Sequence, residues 1–287
     1  MIIGQKELME TIYTSESALR HPVHLIRAMF GYFASSWQLG WRLTVRDISA
    51  QYRQSLFGIL WAFVPPILAT AVFVMLNRYQ VINAGDLTIP YTAYAFTGIT
   101  LWQLFTDSLM MPMKIGRDAR IMIAKVSFPH ESLIISSVLQ AIFNFAIKLL
   151  LLTFILFFYK ISVPWTVILF MFSALGLVFI GISIGVILLP FSLLYNDILN
   201  SMVMILGLWM FVTPVIYLPP SEGMLANIMR LNPVSPVLAN ARDMLFMGSF
   251  AYMSDSFLVC LACFGLLLVG WIVFRVSLPI IIERANA

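Results

Sequence analysis

The stretch Trp165–Leu189 reads WTVILFMFSALGLVFIGISIGVILL and carries no charged side chain over twenty-five residues. As a helix rising ~1.5 Å per residue it reaches about 37 Å, more than the ~30 Å hydrocarbon core of a bilayer. A helix at the surface of a soluble domain keeps a polar face. Here only Thr166, Ser173 and Ser183 interrupt the apolar run, so its surroundings are lipid or other protein. Five more runs resemble it: Leu56–Leu76, Tyr91–Met113, Leu133–Tyr159, Ile198–Tyr217 and Phe257–Phe274. Mean hydropathy is +0.94 and charged residues make up 10%, where a soluble domain carries roughly a quarter. Backbone groups in lipid must pair within their own segment, which predicts helices. The runs are continuous rather than alternating, which argues against a β-barrel. The expectation is an all-α integral membrane protein with six transmembrane helices spread over residues 56–275.

Lys and Arg set the orientation. With the amino terminus inside, Lys6, Arg20, Arg27, Arg42, Arg46, Arg53, Lys114, Arg117, Arg120, Lys125, Arg275 and Arg284 lie on the cytoplasmic side. Arg78, Lys160, Arg230 and Arg242 lie outside, and Lys148 is embedded. Both termini are therefore expected in the cytoplasm, with residues 1–36 as a leading segment and 276–287 as a tail. Glu7, Glu10 and Glu16 stand where a signal peptide needs basic and then apolar residues, so no cleaved signal is expected. The net charge of +4 needs no nucleic acid to explain it.

Three segments are not spans. Within residues 37–55, Trp37, Trp41, Val45, Ile48 and Tyr52 recur every three or four positions, with Arg42, Arg46 and Arg53 off that stripe. This pattern fits an amphipathic helix on the membrane surface, or one packed on another protein. Residues 114–127 form a basic connection holding Lys114, Arg117, Asp118, Arg120 and Lys125. It reads either as topological charge or as a short helix that presses on a partner. Pro219–Phe250 is apolar but broken by Pro219, Pro220, Pro233 and Pro236. Its pieces near Met224–Leu231 and Val237–Phe246 are too short to cross. Two short re-entrant helices on the outer face are expected, with a plain loop as the alternative.

Candidate chemistry is sparse. Cys260 and Cys263 lack further zinc ligands and read as packing residues, and His21, His24 and His130 have no metal-site company. No Gly-rich loop ends in Gly-Lys-Ser/Thr, so the chain has no phosphate-binding loop for ATP. No metal and no cofactor bound by the chain itself is expected. Lys148, flanked by Ile147 and Leu149, costs about 2.5–3.5 kcal/mol to insert. It should line an aqueous path or snorkel to the surface. Asp107 is the only carboxylate within a span. Its depth differs from that of Lys148 by about 11 Å, so no direct pair is expected. Gly181 and Gly185 form a small-xxx-small pair that predicts close packing, within the chain or between chains.

Four ordered blocks carry a resemblance. Arg46–Pro66 reads RDISAQYRQSLFGILWAFVPP, with Arg46, Asp47, Tyr52, Arg53, Leu56, Gly58, Trp61 and Pro65 in a recurrent pattern. RDARIMIAKVSFPHESL (Arg117–Leu133), NDILNSMVMILGLWMFVTPVIY (Asn196–Tyr217) and LNPVSPVLANARDML (Leu231–Leu245) follow. From about residue 37 onward the chain resembles the membrane subunits of ABC-2 type polysaccharide exporters, those for O-antigen, teichoic acid or capsule. The resemblance implies a dimer of two copies, served by two separate ATPase subunits that supply ATP and Mg. It implies an undecaprenyl-diphosphate-linked glycan as substrate and the bacterial inner membrane as location. Lys114, Arg117, Asp118, Arg120 and Lys125 then become ATPase-coupling residues. Arg42, Arg46, Arg53 and Tyr52 become the place where the lipid diphosphate is met. Tyr91, Tyr94, Trp102, Phe105, Lys148 and Trp209 become channel-lining candidates, and Pro214, Tyr217, Asn232, Pro233 and Arg242 outer-gate candidates. An exporter of drugs or small lipids shares this architecture. An ion-coupled transporter would want more intramembrane carboxylates than Asp107.

Overall fold

The computed structural model describes residues 33–53, 57–82, 85, 87–219 and 222–286. Leu56, Pro220 and the leading segment with Lys6, Arg20 and Arg27 lie outside them. Among the described residues the chain is all helical. The helices are α1 (Phe33–Arg53), a 3-10 turn (Gly58–Ala62), α2 (Val64–Arg78), α3 (Tyr91–Asp118), α4 (Arg120–Lys125) and α5 (Glu131–Phe158). They continue with α6 (Val167–Leu194), α7 (Asp197–Val212), α8 (Met224–Leu231), α9 (Val234–Phe246) and α10 (Met253–Asn286).

Among the described residues four segments are long and apolar enough to cross a membrane: Gly58–Arg78, Glu131–Phe158, Val167–Leu194 and Met253–Arg284. The other two expected spans form helices with different properties. α3 has the length, but polar residues dilute its hydropathy. α7 has sixteen residues, about 24 Å of helix, which is short of the full hydrocarbon thickness.

α3 is the central element and packs chiefly on α6. In lipid no hydrophobic drive pushes helices together, so close backbone approach and dispersion hold them. A Cβ at Gly181 would stand 2.6 Å from the Phe105 carbonyl oxygen, and one at Gly185 2.5 Å from that of Leu109. The small-residue pair therefore serves packing within the chain.

Three boundaries differ from the sequence reading. α3 runs past Met113 to Asp118, carrying Pro112 inside it, and the basic connection forms the short helix α4 after Ala119. α10 runs past Phe274 to Asn286, so residues 276–286 are helical. α9 begins at Val234 because Pro233 takes the position before it, where a missing N–H costs nothing. α8 otherwise matches the expected piece.

α1 presents three faces. Ser36, Gly40, Leu43, Thr44 and Asp47 turn inward; Thr44 Oγ1 lies 3.1 Å from Ser136 Oγ, and Gln140 Nε2 donates to Asp47 at 3.2 Å. A Cβ at Gly40 would meet Ile135 at 2.8 Å, so the glycine lets α1 lie against α5. Trp37, Trp41 and Val45 stay exposed on a second face. Arg42, Arg46 and Arg53, spaced four and seven residues apart, share the third and are exposed.

Candidate functional site

At the α9 end of the bundle a buried arginine ties three elements together. The turn after α7 leaves carbonyls that no helical ladder can satisfy. Arg242 of α9, only 5% exposed, donates from Nη1 to the Pro214 carbonyl at 3.0 Å and from Nη2 to that of Val215 at 2.6 Å. Its guanidinium carbon stands 3.8 Å from the ring centroid of Tyr94 on α3. Only Arg offers such a planar fork of donors together with a stacking face. Arg242, counted among the outer-side charges, is buried, because carbonyls and a π face hold the cation in place of water.

The remaining gate candidates gather around it. The Tyr94 hydroxyl donates to the Tyr217 carbonyl at 3.1 Å, and the Tyr217 hydroxyl to the Phe211 carbonyl at 2.6 Å. Asn232 Nδ2 donates to Thr213 Oγ1 at 2.8 Å. Asn232 Oδ1 accepts from Trp209 Nε1 and from the Val234 N–H, both at 3.1 Å. Pro214, Tyr217, Asn232, Pro233 and Arg242 thus form one assembly at the head of α3.

The aromatic candidates pack together in part. Trp102, Phe105 and Trp209 cluster with ring centroids 5.2–6.4 Å apart. Tyr94, Trp102 and Phe105 are buried in the chain's own core. Tyr91 and Trp209 are half-buried. Aromatic density carries no direction; the contacts of α3 with α6 and α7 supply it.

Lys148 and Asp107 do pair: Nζ lies 3.1 Å from Oδ2. The depth argument failed because α3 extends to Asp118, which puts Asp107 mid-helix, and because the lysine stem bridges the remaining rise. Pairing offsets the cost of withdrawing the two charges from water.

The other end of the bundle is charged and open. Lys114, Arg117, Asp118 and Lys125 are exposed and Arg120 is half-buried, while Ile123 anchors α4 in the core. A cleft beside them is lined by Leu43, Arg46, Asp47, Ile115, Asp118, Ala119 and Leu133. It brings Arg46, a diphosphate candidate, next to Asp118, a coupling candidate. Arg46 pairs with Asp47 at 2.8 Å, and Tyr52 turns to Phe143 at 6.4 Å between ring centroids.

Sequence reasoning missed two elements. Gly98 is the first: a Cβ there would overlap both the Val215 carbonyl oxygen and Arg242 Nη2. The second is the clamp between the last helix and α5. Arg275 Nε donates to Glu131 Oε1 at 2.6 Å, and Nη2 contacts the same oxygen. His130 sits beside this pair; burial pushes its imidazole below the usual range, opposed by Glu131 and reinforced by Arg275. Charge in the first turn of α5 was the only available signal for Glu131.

Apolar helices long enough to cross and this buried polar wiring define a multi-pass integral membrane protein. Its likeness to curated proteins specifies the class further. The chain is 28% identical over 223 residues to an O-antigen export system permease protein RfbA of Myxococcus xanthus, covering 76% of this chain and 82% of that protein. Two proteins of that name from Klebsiella pneumoniae match at 24% and 25% identity, covering 73% and 81% of this chain and 81% and 89% of theirs. No family model matches. The chain is thus similar over most of its length to proteins named as O-antigen export permeases, in line with the resemblance its four sequence blocks carry.

Proposed function

We propose that the chain is the membrane subunit of an ATP-driven exporter that moves a lipid-linked polysaccharide across the bacterial inner membrane. The observation that carries this is the similarity to three O-antigen export permeases over most of the chain. Two copies would form the passage, each crossing the membrane six times with both termini in the cytoplasm. α3 and α7 would cross as inner helices of that assembly, where polar content and short length are tolerated. α8 and α9 would dip into the outer face. α1 would lie at the inner leaflet, its exposed Trp37, Trp41 and Val45 in the acyl boundary and its three arginines meeting the lipid diphosphate. A separate ATPase would supply the energy and engage α4 with its flanking charges; the chain itself catalyses no reaction.

Deleting the gene should leave lipid-linked polymer accumulated on the cytoplasmic side, readable by extraction and gel analysis. An unchanged distribution of polymer would refute the export role. The double charge reversal Arg117→Glu and Arg120→Glu should abolish export and ATPase co-purification while the protein still reaches the membrane. Normal co-purification would remove α4 from the contact.

A further inference from the structure

α3 is buried along nearly its whole length, and the exceptions form a pattern. Every residue from Ala93 to Trp102 is buried. Beyond Trp102 the residues that stay open are Gln103, Thr106, Asp107, Met111 and Lys114, and then Arg117 and Asp118 at the helix end. They recur every three or four positions and so share one face. All but Met111 are polar. α5 adds Lys148, paired with Asp107, and one turn earlier on the same side the half-buried Asn144.

The open faces of the neighbouring helices differ. α2 exposes Leu68, Val72 and Met75, and α7 exposes Met204 and Leu208, as suits lipid or an apolar partner. A polar face at membrane depth is tolerated beside protein or water. The Asp107–Lys148 pair is already satisfied inside the chain, so it calls for no partner charge. Gln103 Oε1 is enclosed without a hydrogen-bond partner among the described residues. With that oxygen enclosed and Lys148 held by Asp107, the groups left open are the Gln103 amide N–H, the Thr106 hydroxyl and the free side of Asp107; they offer both donors and acceptors, which suits hydroxyl groups better than a phosphate or an acyl chain.

We propose that Gln103, Thr106, Asp107 and Lys148 line a hydrated furrow, open at the α4 end of the bundle and closed at Trp102, that takes a polyhydroxylated chain. The face from Gln103 to Asp118 is about 22 Å long at ~1.5 Å per residue, so the furrow reaches well into the bilayer. The dry stretch Ala93–Trp102, sealed by Gly98 and Arg242, is the barrier. The proposal rests on the polysaccharide-permease reading and adds where in the chain the sugar first meets the membrane interior and where it is stopped.

Thiol labelling tests it on the full-length chain in membrane vesicles of both orientations, with Cys260→Ala and Cys263→Ala as background. Single variants Thr106→Cys and Met111→Cys probe the furrow, Ile99→Cys the barrier and Arg117→Cys the open end. The probes are a sulfonatoethyl, a glucosyl and a cyclohexyl methanethiosulfonate. The expected result is complete loss of free thiol at Thr106→Cys and Met111→Cys with the sulfonatoethyl and glucosyl reagents, from the side that labels Arg117→Cys. Ile99→Cys keeps its thiol. Reaction of the furrow positions with the cyclohexyl reagent alone would overturn the proposal in favour of lipid. No reaction while Arg117→Cys is labelled would overturn it in favour of a covering protein surface. Equal reaction at Ile99→Cys would overturn the barrier. Labelling of furrow and Arg117→Cys together from the outer side would keep the furrow and overturn the orientation of the permease reading.

Discussion

Gly98→Ala removes most of the protein from the membrane fraction, and this is among the largest effects expected of any single methyl in the chain. The new Cβ would overlap the Val215 carbonyl oxygen and Arg242 Nη2, with the Val215 carbonyl carbon at 2.9 Å. Two of these atoms are backbone and cannot swing away. If Arg242 yields instead, it gives up its bonds to Pro214 and Val215 and its seat on Tyr94. Each buried carbonyl left unpaired costs about 1–3 kcal/mol, and a buried cation without its partners costs more. The sum approaches ~5 kcal/mol, comparable with the whole stability of a typical domain. Gly207→Ala in α7 is the matched control, because nothing lies within 4 Å of a Cβ there and alanine favours helix by ~1 kcal/mol. Membrane yield and the thermal midpoint in detergent should fall for Gly98→Ala and hold for Gly207→Ala. Equal behaviour of the two would mean that the Arg242 contact to the turn is not made.

What the sequence disclosed follows from which interactions are local. The apolar runs around Trp165–Leu189 are one-dimensional signals and predicted helices where helices stand. The breaks at Pro219 and Pro233 isolated α8 and α9 for the same reason: proline acts on its own backbone; Pro236 falls in the first turn of α9 and breaks nothing. Direction and distant contact were not legible. The packing of Trp102 and Phe105 on Trp209 was hidden because a count of aromatics does not say which side of α3 meets it. The burial of Arg242 was hidden because the carbonyls that hold it lie 27 and 28 residues earlier. Gly98 did not stand out among fifteen glycines, since its role exists only where the turn after α7 meets α3. The Arg275–Glu131 clamp joins residues 144 positions apart. The third and fourth sequence blocks turn out to touch: Asn232 binds Thr213 and Trp209, and Arg242 binds Pro214 and Val215. Their joint presence in the resemblance therefore reflects one physical assembly.

Replacing Lys148 or Asp107 alone should destabilise the protein strongly, and replacing both should restore most of the loss. The two side chains are 10% and 26% exposed and their charges stand 3.1 Å apart. Lys148→Met leaves a half-buried carboxylate without its partner; Asp107→Leu leaves a buried ammonium without its own. Breaking a buried pair by removing one partner costs about 3–5 kcal/mol, whereas an apolar replacement of both is often neutral. The open side of Asp107 admits some solvent, which places each single variant at the lower end of that range. Lys148 can also bend its stem toward the surface, so Asp107→Leu should be the milder of the two. The double variant should then be more stable than either single variant, its loss falling well short of the sum of theirs. Thermal unfolding in detergent of the four proteins closes the cycle. Strict additivity would show that the two charges do not sense each other and that Lys148 is held by water alone. A stable double variant that no longer exports would separate the two roles: the pair would be dispensable for folding, and its charges would act on whatever passes along α3.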